Sequence, residues 1–441
     1  MIHITNTQKV SWLDYLYMVI MVIYLGQATV DTAAMVNANI LNHFIGFLIP
    51  FVFSIILAIK HNVQFKNFHL EHLLLLFAIW CFLIIIKYGF EIVTNYSVIT
   101  AFYLFYGIII AYIHVMVFRE SLFPVYEHVI FLMSLISIAL WCFAVFMPGL
   151  ATPFFKSLPL ADYSHYGNHF LYLFTWMNPS EGQVSNGVIR NAGCAWEPGR
   201  FAIMVCLAIC LQFVRQGIKI KSNYRLLIMV IALALTQSTT GYSIFFLVIA
   251  LFALRFTSIW SIIGFSVVAV VAFYFATSID FLGEKLQDQT DFNNVFFELE
   301  RRVSDVSNSY AEGEYAFSLD RFPAMYFEAI NIINDPILGY TQMPEKSYFY
   351  NEISTNCSLT GGIFKVLGAF GILIGCYLYI LLYRSSVFIY NTLSKSNSNK
   401  SKTALFFCIL LSSISYNIWG CPIYMAIWLY GYFLHKKVNK K

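Results

Sequence analysis

Apolar runs long enough to cross a bilayer recur along almost the whole chain, and that restricts it to one class of fold. A helical span needs roughly 17–25 apolar residues to cover the hydrocarbon core. Such runs lie near 11–29, 42–60, 70–88, 97–118, 126–147, 199–214, 225–238, 241–256, 259–279, 359–384, 403–419 and 420–435. Composition decides against a soluble reading: 59% of residues are hydrophobic and only 11% charged, whereas soluble domains carry about 25% charged residues. The expectation is an all-α polytopic transmembrane helical bundle of about twelve spans, built as a single integral membrane domain over 1–441. The first run, Trp12 to Gln27, is followed by no small-residue cleavage site and reads as an uncleaved span. A net charge of +4 does not point to nucleic acid, because the basic residues flank spans.

Loop charge sets the orientation, since Lys and Arg accumulate on the cytoplasmic side. With the N-terminus inside, the majority of the 27 Lys and Arg fall in cytoplasmic segments. Two short loops are strongly basic, Arg215 to Arg225 and Arg384 to Lys402. Both termini are then cytoplasmic, and two long loops, about 148–198 and 280–358, face outward, which in a bacterium is the periplasm. The second loop is acidic. It holds most of the 23 Asp and Glu, against Lys285, Arg301, Arg302, Arg321 and Lys346. It also has helical periodicity, in Val295, Phe296, Leu299, Val303 and Val306 and again in Phe322, Met325, Ile330 and Ile333. Asp335-Pro336 stops the second helix, because proline disfavours helix in the residue before it. The expectation is a helical cap over the outer face. The two long loops follow spans five and nine, so the chain lacks the matching halves of a repeat-built transporter.

Few residues in so apolar a chain are suited to chemistry. Arg190, Glu197 and Arg200 lie within eleven residues where a span begins. Arginine offers planar donors that match phosphate oxygens and stays charged. Pro198 fits the first helical turn, which puts Glu197 at the N-cap, where the helix dipole favours a carboxylate. The alternative is that Glu197 only caps the helix and Arg200 snorkels to headgroups. Arg321 opens the second amphipathic helix, and a neighbouring carboxylate would equally explain it. Lys365 falls about a turn and a half inside the expected boundary of span ten, and a lysine in a membrane is costly and therefore a functional candidate; outward snorkelling is its alternative. The turn Thr236-Gln-Ser-Thr-Thr-Gly241 could donate hydrogen bonds to a headgroup or be only a tight turn. His165 and His169 are weak evidence for a metal. Nine cysteines contain no C-x-x-C pair, and Cys194 and Cys357 both fall in outward loops, where a disulfide is allowed.

These pieces occur in a recognisable order. Arg190-x2-Gly193-x3-Glu197-Pro198-x2-Phe201-Ala202 resembles the first-loop signature of bacterial O-antigen polymerases. The Thr-Thr-Gly241 turn is similar to the short Ser/Thr-Gly turn of the wider polymerase and ligase superfamily. Arg321 through Asp335-Pro336-x2-Gly339 is similar to the helix in that superfamily's largest periplasmic loop, and Asn356 with the Gly-rich span resembles its end. The likeness covers roughly 186–380. One departure matters: ligases and many relatives carry a histidine before that late span, and Asn356 has none nearby, which favours polymerase over ligase. The resemblance implies a GT-C-like glycosyltransferase of the bacterial inner membrane. It would transfer a growing glycan from undecaprenyl diphosphate onto another undecaprenyl-diphosphate-linked repeat unit. Its implied partners are those lipid-linked oligosaccharides, the bilayer and, as an open alternative, a chain-length regulator. No cofactor or metal is expected, since no acidic cluster at the outer face suits Mg²⁺.

On this reading Arg190, Arg200 and Arg321 converge on the diphosphate with Lys365 assisting, Asn356 and Trp196 bind substrate, and Glu197 is the general base. Trp196, Tyr163, Tyr166 and Trp176 could stack on sugars or anchor at the interface. The competing readings are an O-antigen ligase delivering to lipid A core, a capsule or exopolysaccharide polymerase, and, from a different class, a flippase for lipid-linked sugars, which would keep its charges in a central cavity.

The loop charges make the orientation testable. Reporter domains that are active only outside the inner membrane should be silent when inserted at 218–222 or 395–400 and active at 160–166 or 286–292. The reverse pattern overturns the orientation.

Overall fold

The structure, a computed structural model, describes residues 10–25, 40–93, 95–157, 159–163, 167–170, 173–176, 184–185, 188–195, 197–218, 223–253, 300–301, 303, 317–318, 321–340, 346–353, 357–359, 363–394, 401–415, 419 and 421–435. The architecture is helical. Among the described residues four stretches are long and apolar enough to cross a membrane: Phe68–Tyr88, Ala101–Phe146, Pro198–Gln216 and Lys365–Leu393. This is a helical membrane protein. The expected run 259–279 lies outside the described residues, as does nearly all of the expected helix 295–306.

Among the described residues the α-helices, in chain order, are α1 (Trp12–Ile20), α2 (Ile40–Lys60), α3 (Phe68–Tyr88), α4 (Asn95–Phe118), α5 (Leu122–Phe146), α6 (Pro148–Ser157), α7 (Pro198–Gln216), α8 (Tyr224–Leu235), α9 (Thr239–Ala253), α10 (Arg321–Asn334), α11 (Lys365–Leu393), α12 (Ala404–Ser415), α13 (Pro422–Trp428) and α14 (Tyr430–Leu434). Helix α3 illustrates why these segments suit lipid. One stripe, Leu73, Phe77, Trp80 and Ile84, is buried, while Leu75, Ile79, Phe82 and Ile86 on the other side are exposed and equally apolar. A helix apolar on every side has no face for water. Of the four long apolar stretches, α7 is the most enclosed, with Phe201 through Val214 buried without interruption.

The loop 148–198 is more ordered than the sequence reading expects. After α6 it forms a three-stranded antiparallel sheet, β1 (Pro159–Tyr163), β2 (Gly167–Phe170) and β3 (Phe174–Trp176), and then a two-stranded ribbon, β4 (Val184–Ser185) with β5 (Val188–Ile189). The expected last span, 420–435, is made of two short helices, α13 and α14, joined at Leu429 (φ −101°, ψ 4°). Trp428, Leu429 and Tyr430 are fully buried there, and the segment packs against α4 and α11.

Helix polarity sorts the charged groups into two ends. At one end the start of α1, the end of α2, the starts of α5 and α8 and the end of α7 come together. Asp14 meets Lys60 at 3.2 Å and His61 at 2.9 Å. Arg215 grips Glu127 with both arms, Nε to Oε1 at 2.8 Å and Nη2 to Oε2 at 2.5 Å. Arg119 adopts a positive φ of 47° where the chain reverses from α4 into α5. His69 at the start of α3 bonds the carbonyl of His435. The opposite end therefore carries the end of α3, the end of α5, the starts of α7 and α9, and the start of α11.

At that second end, the turn after α10 is inserted into a break in α11. Gly371 has φ 76°, ψ 166°, outside the helical region. In a continuous helix the Ile372 N–H would donate to the Gly368 carbonyl, four residues earlier. Instead Ile372 N donates to Pro336 O (2.7 Å), and Gly368 O accepts from Tyr340 N (2.9 Å). The approach requires glycine on both sides. A Cβ at Gly371 would lie 2.0 Å from Ile337 O, and one at Gly339, also at positive φ, would lie 2.2 Å from Gly368 O. Trp80 Nε1 of α3 donates to Leu338 O at 3.1 Å, and Lys87 and Tyr88 at the end of α3 both bond the Asp335 carboxylate.

Two costs fall on an alanine at Gly371: a left-handed backbone that L-residues resist by about 1–3 kcal/mol, and a backbone overlap that no rotamer relieves. Gly371→Ala and Gly339→Ala should each lower the thermal unfolding midpoint of the purified protein in detergent well below that of Gly149→Ala, whose added Cβ meets nothing within 4 Å. Equal midpoints for the three variants would refute the inserted turn.

Candidate functional site

Two groups of polar residues occupy the second end of the bundle. The first is built on the stretch Ile189 to Arg200. Its backbone is sunk among the helices: Trp141 Nε1 donates to Ile189 O at 2.6 Å, Asn191 N to Leu235 O at 2.9 Å and Thr175 N to Gly193 O at 2.8 Å. The Asn191 side chain, fully buried, donates to Ser137 Oγ (3.1 Å) and accepts from Gly193 N (3.0 Å). Gly193 is at φ 52°, and a Cβ there would strike the Phe201 ring at 2.6 Å. The motif glycine is thus set by a backbone turn packed on the motif phenylalanine.

Arg190 Nε donates to Thr236 O at 3.0 Å and its Nη2 to Gln237 O at 3.1 Å. Those carbonyls close α8, where a cation satisfies orphan acceptors and the negative end of the helix dipole. Two of the five guanidinium donors are therefore committed to holding the hydroxyl-rich turn against the Arg190 stretch. Glu197 is the N-cap of α7 with Pro198 as its first residue, as the sequence implies, but its carboxylate makes no cap hydrogen bond to that helix. It is half-buried, as is Arg200 one turn on. Arg200 acts electrostatically on Tyr424 of α13. Cys194 is a free, buried thiol, and burial pushes its pKa up to about 12. Trp196 lies outside the described residues.

The second group is where α10 meets α11. Arg321 is the first residue of α10, and its side chain lies outside the described residues, as does all of Asn356. Lys365 opens α11 rather than lying inside it, because Cys357–Ser358 just upstream is extended and pairs in parallel with Phe317–Ser318. The lysine Nζ donates to Leu359 O at 3.2 Å.

The α10 face turned inward is not the expected one. Ala324, Phe327, Glu328 and Asn331 are buried, whereas Ile333 is 76% exposed. The four buried positions follow the i, i+3, i+4, i+7 spacing of a helix face. Hydrophobic periodicity alone selects Phe322, Met325, Ile330 and Ile333, and so misses that the inward stripe carries a carboxylate and an amide.

Glu328 has no exposed surface. Its Oε1 accepts from Tyr340 OH at 3.0 Å, and Asn331 Nδ2 points to its Oε2 at 3.5 Å. Asn331 Oδ1 accepts from Phe349 N at 3.1 Å. Burial raises the Glu328 pKa above its ordinary value, opposed by the charge of Lys365 and by the Tyr340 and Asn331 hydrogen bonds. The sequence signal that could have found Glu328 is its place on the helix: it is one turn past Ala324 and beside Phe327, where an apolar residue belongs.

A raised carboxyl pKa means that the folded state binds the proton more tightly than the unfolded chain. Its stabilising effect is complete below the ordinary value of 4.5 and is lost as pH rises through the folded value. The unfolding midpoint of wild type should therefore fall more steeply than that of Glu328→Gln as pH is raised from about 4.5. Parallel profiles would contradict the buried carboxyl. In a double-mutant cycle at neutral pH, Glu328→Gln and Lys365→Met should couple by about 1 kcal/mol.

Comparison of the chain with protein-family models, with curated proteins and with solved structures finds no match in any of the three.

Proposed function

We propose that this protein is a polysaccharide polymerase of the O-antigen type, a glycosyltransferase of the bacterial inner membrane with its reaction centre at the periplasmic face. The observation that carries the reading is the sorting of polar groups by helix polarity. Arg190, Glu197, Arg200, Lys365 and the start of α10 share one end of the bundle, opposite the end that holds Arg215, Arg225 and the Asp14 cluster. A flippase needs its charges midway along the spans, and this arrangement does not favour one. The finer architecture of the proposal is about twelve spans with both termini cytoplasmic and a helical periplasmic cap that includes α10.

The chemistry needs two things. The bond between the anomeric carbon and the diphosphate oxygen breaks, and its electron pair leaves with undecaprenyl diphosphate, so the growing charge must be met by fixed cations. Arg190, Arg200 and Arg321 are assigned that role, with Lys365 assisting. The new bond forms from a hydroxyl oxygen of the incoming lipid-linked unit, whose proton needs an acceptor. Glu197, the N-cap residue of α7, is assigned to take that proton. Trp196 and Asn356 are assigned to substrate binding.

Complementing a deletion strain with wild type or Glu197→Gln tests this through the profile of surface glycans. The expected result is a full ladder with wild type, and a single repeat on lipid A core with no ladder for both the null and the variant. Polymer accumulating on the lipid carrier with none on the core would make the protein a ligase. An unchanged ladder in the null would remove the O-antigen reading altogether.

A further inference from the structure

The turn Asp335–Tyr340 sits deeper than a segment lying over a membrane needs to, and two helices measure the depth. In α11 the stretch Val366–Tyr383 contains no Asp, Glu, Lys or Arg and is bounded by Lys365 and Arg384. Its length is about 27 Å at the helical rise, close to the roughly 30 Å of a bilayer's hydrocarbon core. Gly371, against which the Ile337 carbonyl lies, is six residues past Lys365, about 9 Å along the axis. In α3, Trp80 is seven residues before Lys87, about 10 Å, and its indole donates to Leu338 O. Lys87 itself bonds the Asp335 carboxylate. The chain thus leaves α10 at the level of Lys87 and descends to the level of Trp80 and Gly371. Lys87 and Lys346 lie 4.7 Å and 5.5 Å from the centroid of the Tyr88 ring, and tyrosine with basic residues is the composition of a membrane–water interface.

Backbone at such a depth has to find its hydrogen-bond partners within the protein. Asp335 O accepts from Gly339 N (3.2 Å), Pro336 O from Ile372 N and Leu338 O from Trp80 Nε1, while Tyr340 N donates to Gly368 O. Pro336 brings no N–H that would need an acceptor. The side chains on the outside of the turn are apolar: Ile337 is 64% exposed, and Pro336 is exposed beside it. The helices that grip the turn are apolar on their exposed sides too, with Phe82 and Ile86 on α3 and Ile372 and Leu373 on α11. Ile337 therefore continues the lipid-facing surface of the two spans across the break in α11.

We propose that the turn after α10 is a re-entrant segment, and that Pro336 and Ile337 contact the acyl chains of the surrounding bilayer. Ile333, one turn before Ile337 and 76% exposed, meets the boundary between headgroups and chains. Helix α10 is thereby moored in the membrane at its last turn instead of resting over it in water. Depth selects this occupant over a soluble partner, and continuity with the exposed faces of α3 and α11 selects lipid over a dedicated protein groove. The proposal is independent of the polymerase reading.

The first test places the photoreactive residue p-benzoylphenylalanine at Ile337, at Phe82 on the lipid side of α3 or at Asn351, an exposed polar position near α10. The full-length protein in vesicles of phosphatidylethanolamine and phosphatidylglycerol is irradiated, and adducts are identified by mass spectrometry. The yield of acyl-chain adducts at Ile337 should match that at Phe82 and exceed that at Asn351 several-fold. A yield at Ile337 no higher than at Asn351, or cross-linking of Ile337 to a second copy of the chain in place of lipid, would overturn the re-entrant turn.

The second test needs no unnatural residue. An aspartate cannot snorkel as far as a lysine and is costly in hydrocarbon, whereas exchanging an exposed residue in water has little effect on stability. In the same vesicles Ile337→Asp should lower the unfolding midpoint by several degrees and Ile337→Ala should leave it nearly unchanged. Equal midpoints for the two variants would place the turn in water and refute the proposal.

Discussion

One broken helical hydrogen bond organises one end of this protein's helical bundle. Where Gly371 leaves helical geometry, the Gly368 carbonyl and the Ile372 amide lose each other and would be orphaned in an apolar setting, at a cost of several kcal/mol for each unsatisfied group. The turn after α10 supplies both partners, Tyr340 N and Pro336 O. One intrahelical bond is thus exchanged for two bonds between segments. The exchange works because Gly339 and Gly371 let two backbones approach to distances at which no Cβ fits. The contacts around it inherit that anchor: those of Asp335 with Lys87 and Tyr88 and the placement of Tyr340 against Glu328.

The same reasoning applies to the polar groups carried inward. Glu328, Asn331 and Asn191 are buried almost completely, and each has named hydrogen-bond partners. A buried polar group without a partner is expensive, and a satisfied network fixes one arrangement. These groups therefore act as registers. Asn191 sets where the Arg190 stretch sits on α5, and Glu328 with Asn331 sets the rotation of α10 on α11. Arg190 is part of that scaffold as well, since its guanidinium closes α8. Replacing it would disturb that scaffold, so a loss of activity there is less informative about the proposed reaction than one at Glu197.

Legibility in the sequence followed physical scale. Lipid-facing helices were legible because a span needs a long apolar run, and the helix caps were legible because Pro198 and Asp335-Pro336 act on their immediate neighbours. Glu197 was placed at an N-cap for that reason. The α10 face was misjudged because hydrophobic periodicity assumes that apolar residues point inward, and Ile333 points out while Glu328 points in. The short strands of the first long loop escaped notice because two- to five-residue segments carry little pattern, and their pairing is a contact between separate pieces of chain.

The sequence by itself therefore determined the class of the protein, the identity of its long spans, the starts and stops of α7 and α10, and the short inventory of charged residues that a membrane chain can carry. Those depend on interactions within a few residues of one another, or on bulk transfer from water to lipid. Only the tertiary structure decided that Arg190 closes α8, that Glu328 lies under Tyr340, that Lys365 begins a helix, and that the α10 turn enters a break in α11. Each of these is a pairing between residues far apart in the chain, fixed by the need to satisfy buried backbone and side-chain groups, and no local pattern encodes which distant partner will do so.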